Sequence, residues 1–381
     1  MTGSVEGRDL AGGRRLQVAH ADGRIVAVAD AGPWQGGPWL GPGLVDLQVN
    51  GCAGLDLNTD HLEPDLVHGV SRHLTRSGVT SYLPTLVTGP DERIRRSLRV
   101  IAESRADGVA GIHLEGPFIS PQDGPRGAHE KRYVQPPDWD LLRHWQEAAG
   151  GGIRLLTLSP EWPGALRFIE SCVGAGIVVA IGHTAATEQQ IRDAVKAGAR
   201  LSTHLGNGSH PAMPRHTGYF WEQLGCDELH ASVIADGAHL PLPVLKAILR
   251  TKGERAILIS DAVALTSLQP GEYDVPVGGR VRLTDDGRLV LASDPRMLAG
   301  SVRLLHEGVA HVVRSGLVRL AEAWAMASAR PARMLGLPAG ASLEAGAPAD
   351  LVQFDWDGRS IVPLAVYRAG RLVSGGEGEM P

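Results

Sequence analysis

The sequence predicts a (β/α)8 TIM barrel joined to a small β-sandwich domain formed by both chain termini. Three observations carry that expectation. Eight short apolar or β-branched runs alternate with apolar stripes at helical spacing, the pattern of parallel strands joined by helices. Extended segments flank the series at both ends. Acidic and imidazole side chains recur where the runs stop, and barrel enzymes build their sites at the C-terminal ends of strands.

Taken in order, residues 14–30 read as short extended pieces around Asp22-Gly23, a dipeptide suited to a two-residue hairpin. The buried runs are 44–49 (LVDLQV), 79–86 (VTSYLPTL), 109–114 (VAGIHL) and 153–158 (IRLLTL). They continue with 177–182, 199–205, 231–235 and 256–260. Between them, 91–104 places Ile94, Leu98 and Ile101 on one helical face, and 188–197 pairs Ile191 with Val195 before Gly198, a left-handed stop. The stretches 62–77, 139–149, 164–173 and 242–252 follow the same rhythm. After the eighth run come extended pieces over 273–291 around Asp286-Gly287, then helical patterns at 302–315 and 318–330, then an extended tail over 343–374. The expected division is therefore residues 1–42 with 343–381 for the β-domain and 43–342 for the barrel.

Composition narrows the function classes. The chain has 381 residues, 43% of them apolar, and a formal net charge of −5. Without a basic excess to neutralise phosphates, nucleic acid is not an expected partner. Cys52, Cys172 and Cys226 make neither a disulfide framework nor a zinc spacing. No apolar run approaches the roughly 18–20 residues that cross a bilayer, and the first residues lack the apolar stretch of a secretory signal. The reading is a soluble cytoplasmic protein without a membrane partner.

The chemistry is concentrated at predicted strand ends. Glu115 follows IHL, His183 follows AIG, His204 lies in STHL, Asp236 and His239 follow SVIA, and Asp261 follows ILIS. One carboxylate and two imidazoles from three strands suit one divalent ion, with Zn²⁺ favoured and Fe²⁺, Mn²⁺ or Co²⁺ also compatible. Such a site leaves a position for water, whose pKa zinc lowers to about 7. Asp261 is the natural proton acceptor. His239 is placed to polarise a carbonyl oxygen, and Asp236 to orient a loop. Each residue has a plainer explanation alone: a packed histidine, a glutamate paired with an arginine, an aspartate capping a helix. Four of them at the ends of strands three, five, six and eight are hard to obtain by packing.

The ordered motifs GPGLVDLQVNG (41–51), HLEGPFISP (113–121), GHTAAT (182–187), THLGN (203–207), IADGAHLP (234–241), ISDAVAL (259–265), LAGS (298–301) and GAPADLV (346–352) resemble the N-acetylglucosamine-6-phosphate deacetylase family of the amidohydrolase superfamily. The resemblance implies that Glu115, His183 and His204 bind the metal, Asp261 is the acid/base, and His239 polarises the carbonyl. It implies a substrate-binding set of His129, Asn207, Gly208, His239, Leu298 and Ala299, with Arg215 reaching a phosphate across a homodimer interface. The implied reaction removes acetate from N-acetylglucosamine 6-phosphate.

The chain also departs from that pattern. Gln48 and Asn50 stand where many relatives carry a His-x-His pair, and none of Lys131, Lys196, Lys246 and Lys252 lies at the fourth strand's end. One metal is therefore expected, with Gln48 and Asn50 either bonding in the site floor or serving as plain structural polar residues. The family's THL-F/Y-NAM and REPG become THLGNG and Arg215-His216-Thr217-Gly218, and the loop after Glu115 is longer. Arg126, Arg215 and His216 either bind phosphate or face solvent. Alternatives are a deacetylase of another N-acetylated amino sugar or N-acyl amine with altered or no phosphate requirement, and a catalytically silent sugar-binding protein. The missing His-x-His pair and lysine argue against a binuclear cyclic amidase; EGPF and LAGS argue against a nucleobase deaminase.

Overall fold

The barrel begins with Leu44–Val49, six consecutive buried residues whose two polar side chains, Asp46 and Gln48, are buried with the apolar ones. A strand reads this way when both of its faces are covered, as in parallel sheets wrapped by helices. Seven parallel strands follow: Val79–Val87, Ile112–Glu115, Ile153–Leu158, Val178–Ile181, Leu201–Ser202, His230–Ile234 and Ala256–Ile259. They hydrogen-bond in chain order. A parallel bridge between Val49 and Ala262 joins the first strand to the end of the eighth and closes the ring. This computed structural model describes residues 2–275, 279–295, 297–337 and 342–375.

Helices stand where the apolar stripes place them, including Pro64–Arg76, Asp91–Ser104, Trp139–Ala148, Ala165–Gly174, Glu188–Ala197 and Leu242–Lys252. Glu188–Ala197 starts on a capping box between Thr187 and Gln190 and stops at Gly198, φ 116°. Three features differ from the sequence reading. The sixth strand is only two residues long, because the chain turns into a left-handed conformation at His204, φ 27°. The stretch 318–330 divides into Leu320–Met326 and Ala329–Met334. Pro331 lacks the N–H a continuous helix would need there and is tolerated in a first turn. A short helix, Tyr219–Gly225, was not foreseen.

Both ends of the chain pair into one seven-stranded sheet. Its order is Arg371–Ser374, Ile361–Arg368, Leu351–Trp356, Trp39–Pro42, Thr2–Arg8, Arg14–Ala21 and Arg24–Pro33. Asp22 and Gly23 join the last two with φ of 50° and 80°, the left-handed pair a tight I′ turn requires. Val5, Val18, Ile25, Leu40 and Leu351 make a core of the sheet's own. Trp324 fastens the sheet to the barrel: its indole N–H donates to the Pro42 carbonyl at 2.8 Å, and its ring stacks on Phe354 at 4.2 Å. The end of the expected β-domain, 376–381, lies outside the described residues. The extended pieces after the eighth strand form a separate antiparallel sheet of Gly271–Val275, Gly279–Leu283 and Leu289–Leu291. It packs on Leu265 beside the barrel mouth. Among the described residues no helix is long and apolar enough to cross a membrane.

Candidate metal centre and active site

Three buried side chains from three strand ends converge. His204 Nε2 lies 2.8 Å from Glu115 Oε1, His183 Nε2 lies 3.1 Å from the same oxygen, and the two Nε2 atoms are 3.1 Å apart. Among the described residues this is the one cluster able to offer three ligand atoms to an ion. His183 Nδ1 donates to the Pro125 carbonyl at 2.8 Å, so its proton sits there and a lone pair remains on Nε2. A tetrahedral ion with bonds of about 2.0–2.1 Å has ligand edges of about 3.3 Å, close to the spacing seen. Two nitrogens and one carboxylate oxygen at that spacing are a chemically sound cradle for a divalent cation. Burial opposes ionisation of Glu115, yet the His183 and His204 imidazoles against it hold its carboxyl well below the usual range.

The backbone at these positions is unusual. His183, His204 and Asp261 adopt φ of 48°, 27° and 49°. Left-handed non-glycine residues cost of order 1–3 kcal/mol each and persist only where surroundings enforce them. All three sit two residues past a barrel strand, so the strands aim them. The loop after the sixth strand presses on the same histidine. A Cβ at Gly208, φ 56°, would meet His183 Nδ1 at 2.7 Å, so a bare glycine lets that loop close over the ring.

Beneath the ligands lies an amide floor. Gln48 Nε2 donates to Glu115 Oε1 at 2.9 Å and to Asp261 Oδ1 at 3.0 Å, and Asn50 Nδ2 donates to Asp261 Oδ1 at 2.8 Å. Of the two readings the sequence left open for these residues, hydrogen bonding within the floor is the one observed. Burial, reinforced by the Glu115 charge, pushes the Asp261 carboxyl up to about 6. Asp261 is thus a carboxylate held near the range where it can both take and return a proton.

His239 donates from Nδ1 to Asp236 Oδ2 at 2.8 Å, and Asp236 Oδ1 accepts the backbone N–H of His239 and Ala238 at 2.9 and 2.8 Å. Burial works to raise the Asp236 pKa, but the His239 hydrogen bond and charge bring it down to about 2. Asp236 is therefore ionised and accept-only, which obliges His239 Nδ1 to carry a proton. His129 bonds Thr88 Oγ1 through Nδ1 at 2.9 Å and sets its ring edge-on to His183, 4.4 Å away. Burial, aided by His183, pushes it down to about 3, so it is neutral at physiological pH.

These groups open into a cavity of about 690 Å³. Glu115, His183, His204, His239 and Asp261 line it, as do His129, Asn207, Gly208, Leu298 and Ala299. Arg215 does not: it is exposed, outside this chain's own cavity. Arg126 also stays out of the lining, held by Asp123 and the His129 carbonyl, and His216 is exposed. Sequence reasoning missed Thr88 and the Pro125 carbonyl, which orient two histidines. It also missed His210 and the apolar wall of Val275, Leu289 and Met297. A wider groove of about 880 Å³ runs outside the barrel between Asp91–Ser104 and Trp139–Ala148, lined by arginines and carboxylates and containing none of the converging groups.

A closed barrel with an imidazole–carboxylate cradle at its C-terminal mouth defines a metal-dependent hydrolase. The chain belongs to the amidohydrolase family, whose model matches residues 39–373. Within it the chain falls among the N-acetylglucosamine-6-phosphate deacetylases. It is 31% identical over 383 residues to such a deacetylase from Lysinibacillus sphaericus, covering 97% of this chain and 95% of that protein. It is 34% identical over 322 residues to the one from Bacillus subtilis, covering 82% and 79%. The fold matches a solved Mycobacterium smegmatis N-acetyl-D-glucosamine-6-phosphate deacetylase, an aspartate-to-alanine mutant in complex with N-acetyl-D-glucosamine-6-phosphate. That match has a TM-score of 0.84 and 32% identity, over 94% of this chain and 95% of the other.

Proposed function

We propose that the protein removes the acetyl group from N-acetylglucosamine 6-phosphate, giving glucosamine 6-phosphate and acetate. One Zn²⁺ held by Glu115, His183 and His204 is part of the proposal. The observation that carries it is the convergence of those three donors beside an aspartate that shares their amide floor. The relatives' activity supports the substrate.

A divalent ion in the cradle would lower the pKa of a coordinated water and polarise the substrate carbonyl. The chain's own residues supply the rest. Asp261 takes the proton of the attacking water and returns it to the leaving amine nitrogen, a transfer worth roughly 10²–10⁴-fold. His239 stabilises the carbonyl oxygen as negative charge develops there. Its Nδ1 proton is committed to Asp236, so donation from Nε2 requires the ring to carry both protons, with Asp236 balancing the charge. His129, Asn207, Gly208, Leu298 and Ala299 bind the sugar, a reading supported by their places around the cavity. A homodimer in which Arg215 reaches the neighbouring subunit's phosphate is supported by its exposure near exposed Met213 and Trp221.

A second reading has its own observation: among the described residues, the cavity lining contains no lysine or arginine. That favours an N-acetylated amine without phosphate. Acetate release from N-acetylglucosamine 6-phosphate and from N-acetylglucosamine, measured side by side with metal analysis, decides between them. The main reading requires one ion per chain and a clear preference for the phosphorylated sugar. Equal efficiency selects the second reading, and no acetate from either substrate removes both.

A further inference from the structure

If the cavity takes a sugar phosphate, its own walls must offer something to the anion. The side-chain amides within reach are engaged: Asn50 on Asp261, Asn58 on the Thr85 carbonyl, and Asn207 on the His204 carbonyl. Of the five lining histidines, His183 and His204 face Glu115, His129 packs against His183, and His239 is tied to Asp236. His210 remains. It lies on the half-exposed side of the cavity, six residues beyond His204.

The hydrogen bonds around His210 admit a tautomer that leaves a donor on its other ring nitrogen. The buried Tyr219 hydroxyl accepts the His210 backbone N–H at 2.8 Å. Its own hydrogen is then free for His210 Nδ1, 3.0 Å away. With Nδ1 accepting that hydrogen, the neutral ring bears its proton on Nε2. That N–H has no partner among the described residues. Asp123 shares the rim, but its carboxylate is paired with Arg126 at 2.6 Å.

We propose that His210, held by Tyr219, donates from Nε2 to the phosphate-bearing end of the substrate and so sets the enzyme's preference for phosphorylated sugars. This rests on the deacetylase reading above. The test uses the full chain reconstituted with Zn²⁺ and compares wild type, His210→Ala, His210→Gln and Tyr219→Phe. Kinetics are measured on N-acetylglucosamine 6-phosphate and N-acetylglucosamine. Calorimetry gives the affinities for glucosamine 6-phosphate and glucosamine, a readout independent of turnover.

A hydrogen bond to a charged group corresponds to about 10–100-fold. His210→Ala should therefore raise KM for the phosphorylated substrate by about that factor, with kcat and the unphosphorylated substrate nearly unchanged. His210→Gln, which retains an N–H donor, should recover part of the loss, and Tyr219→Phe should fall between. The ratio of the two product affinities should follow the same order. Equal effects on both sugars overturn the proposal, as does discrimination that survives His210→Ala but vanishes in Arg215→Ala. A wild type that binds both products equally also overturns it. Absent turnover with a product-affinity ratio that collapses in His210→Ala would instead sink the deacetylase reading and leave this site standing.

Discussion

Gln48→Leu separates an electrostatic floor from a merely polar filler. Gln48 is 1% exposed and reaches two carboxylates with one amide nitrogen, at 2.9 and 3.0 Å. Both distances lie in the normal N–H···O range. A hydrogen bond to a charged group contributes about 1.5–3 kcal/mol, so the gross loss is about 3–6 kcal/mol. Burying leucine instead of an amide returns about 1–2 kcal/mol, leaving a net cost near 2–4 kcal/mol in metal-free protein. A cation held by Glu115, His183 and His204 would shrink the cost, because its charge would offset part of what the amide supplies. The variant should thus gain more stability than wild type on metal addition. Protonation of Asp261, which titrates near 6, removes one of the two charged acceptors, so the cost at pH 5 should be smaller than at pH 7.5. Urea unfolding of metal-stripped and reloaded protein at both pH values measures all of this. A loss below about 1 kcal/mol in the metal-free state, with no pH dependence, would refute the floor.

Other consequences are simpler to state. Asp261→Asn keeps the site's shape but cannot accept a proton; kcat should fall at least about 10²-fold while metal content stays near that of wild type, and unchanged turnover would remove Asp261 from the mechanism. Asp46 is buried, and burial, countered by bonds from Ser260 and Gln48, raises its carboxyl from 3.8 to about 7. Its ionised form is disfavoured in the fold, so its contribution is intact below pH 3.8 and is lost as pH rises toward 7, with a ceiling of about 4 kcal/mol. Asp46→Asn should therefore look progressively better than wild type between pH 4 and pH 8 in denaturant titrations; a flat difference would contradict the linkage. Gly208→Ala forces a Cβ onto His183 and should weaken metal retention in a chelator competition, whereas retention equal to wild type would mean the loop gives way.

The parts of this architecture that could be read in advance are those fixed by periodicity and chain order. Runs such as AILI (256–259) are apolar throughout because both faces are covered. Glu115, His183 and His204 were visible because a barrel places its chemistry at strand ends. What escaped depends on contacts between distant segments. Gln48 meets Asp261 across 213 residues, and no local pattern says whether an amide there bonds a carboxylate or only fills space. His129 is oriented by Thr88 and His183 by a loop carbonyl at Pro125, partners with no spacing rule. Backbone carbonyls carry no sequence signal at all. The apolar cavity wall comes from a small sheet whose strands looked like ordinary extended chain. The left-handed turn that shortens the sixth strand at His204 is the least readable feature, since nothing in STHL asks for positive φ.

The amide floor also bears on how many ions the site admits. Gln48 stands on the first strand and Asn50 just past its end, where a second ion would need lone pairs. Both present hydrogens there instead: three N–H···O bonds run from their amides to Glu115 and Asp261. To ligate a cation with its carbonyl oxygen, either side chain would have to turn over, and up to three charge-assisted bonds would break. At about 1.5–3 kcal/mol each, that penalty exceeds what a weak amide ligand regains. The same hydrogens hold Asp261 Oδ1, leaving its other oxygen to exchange a proton. A floor of donors thus does two things at once: it discourages a second cation and keeps the aspartate available as a base beside the first.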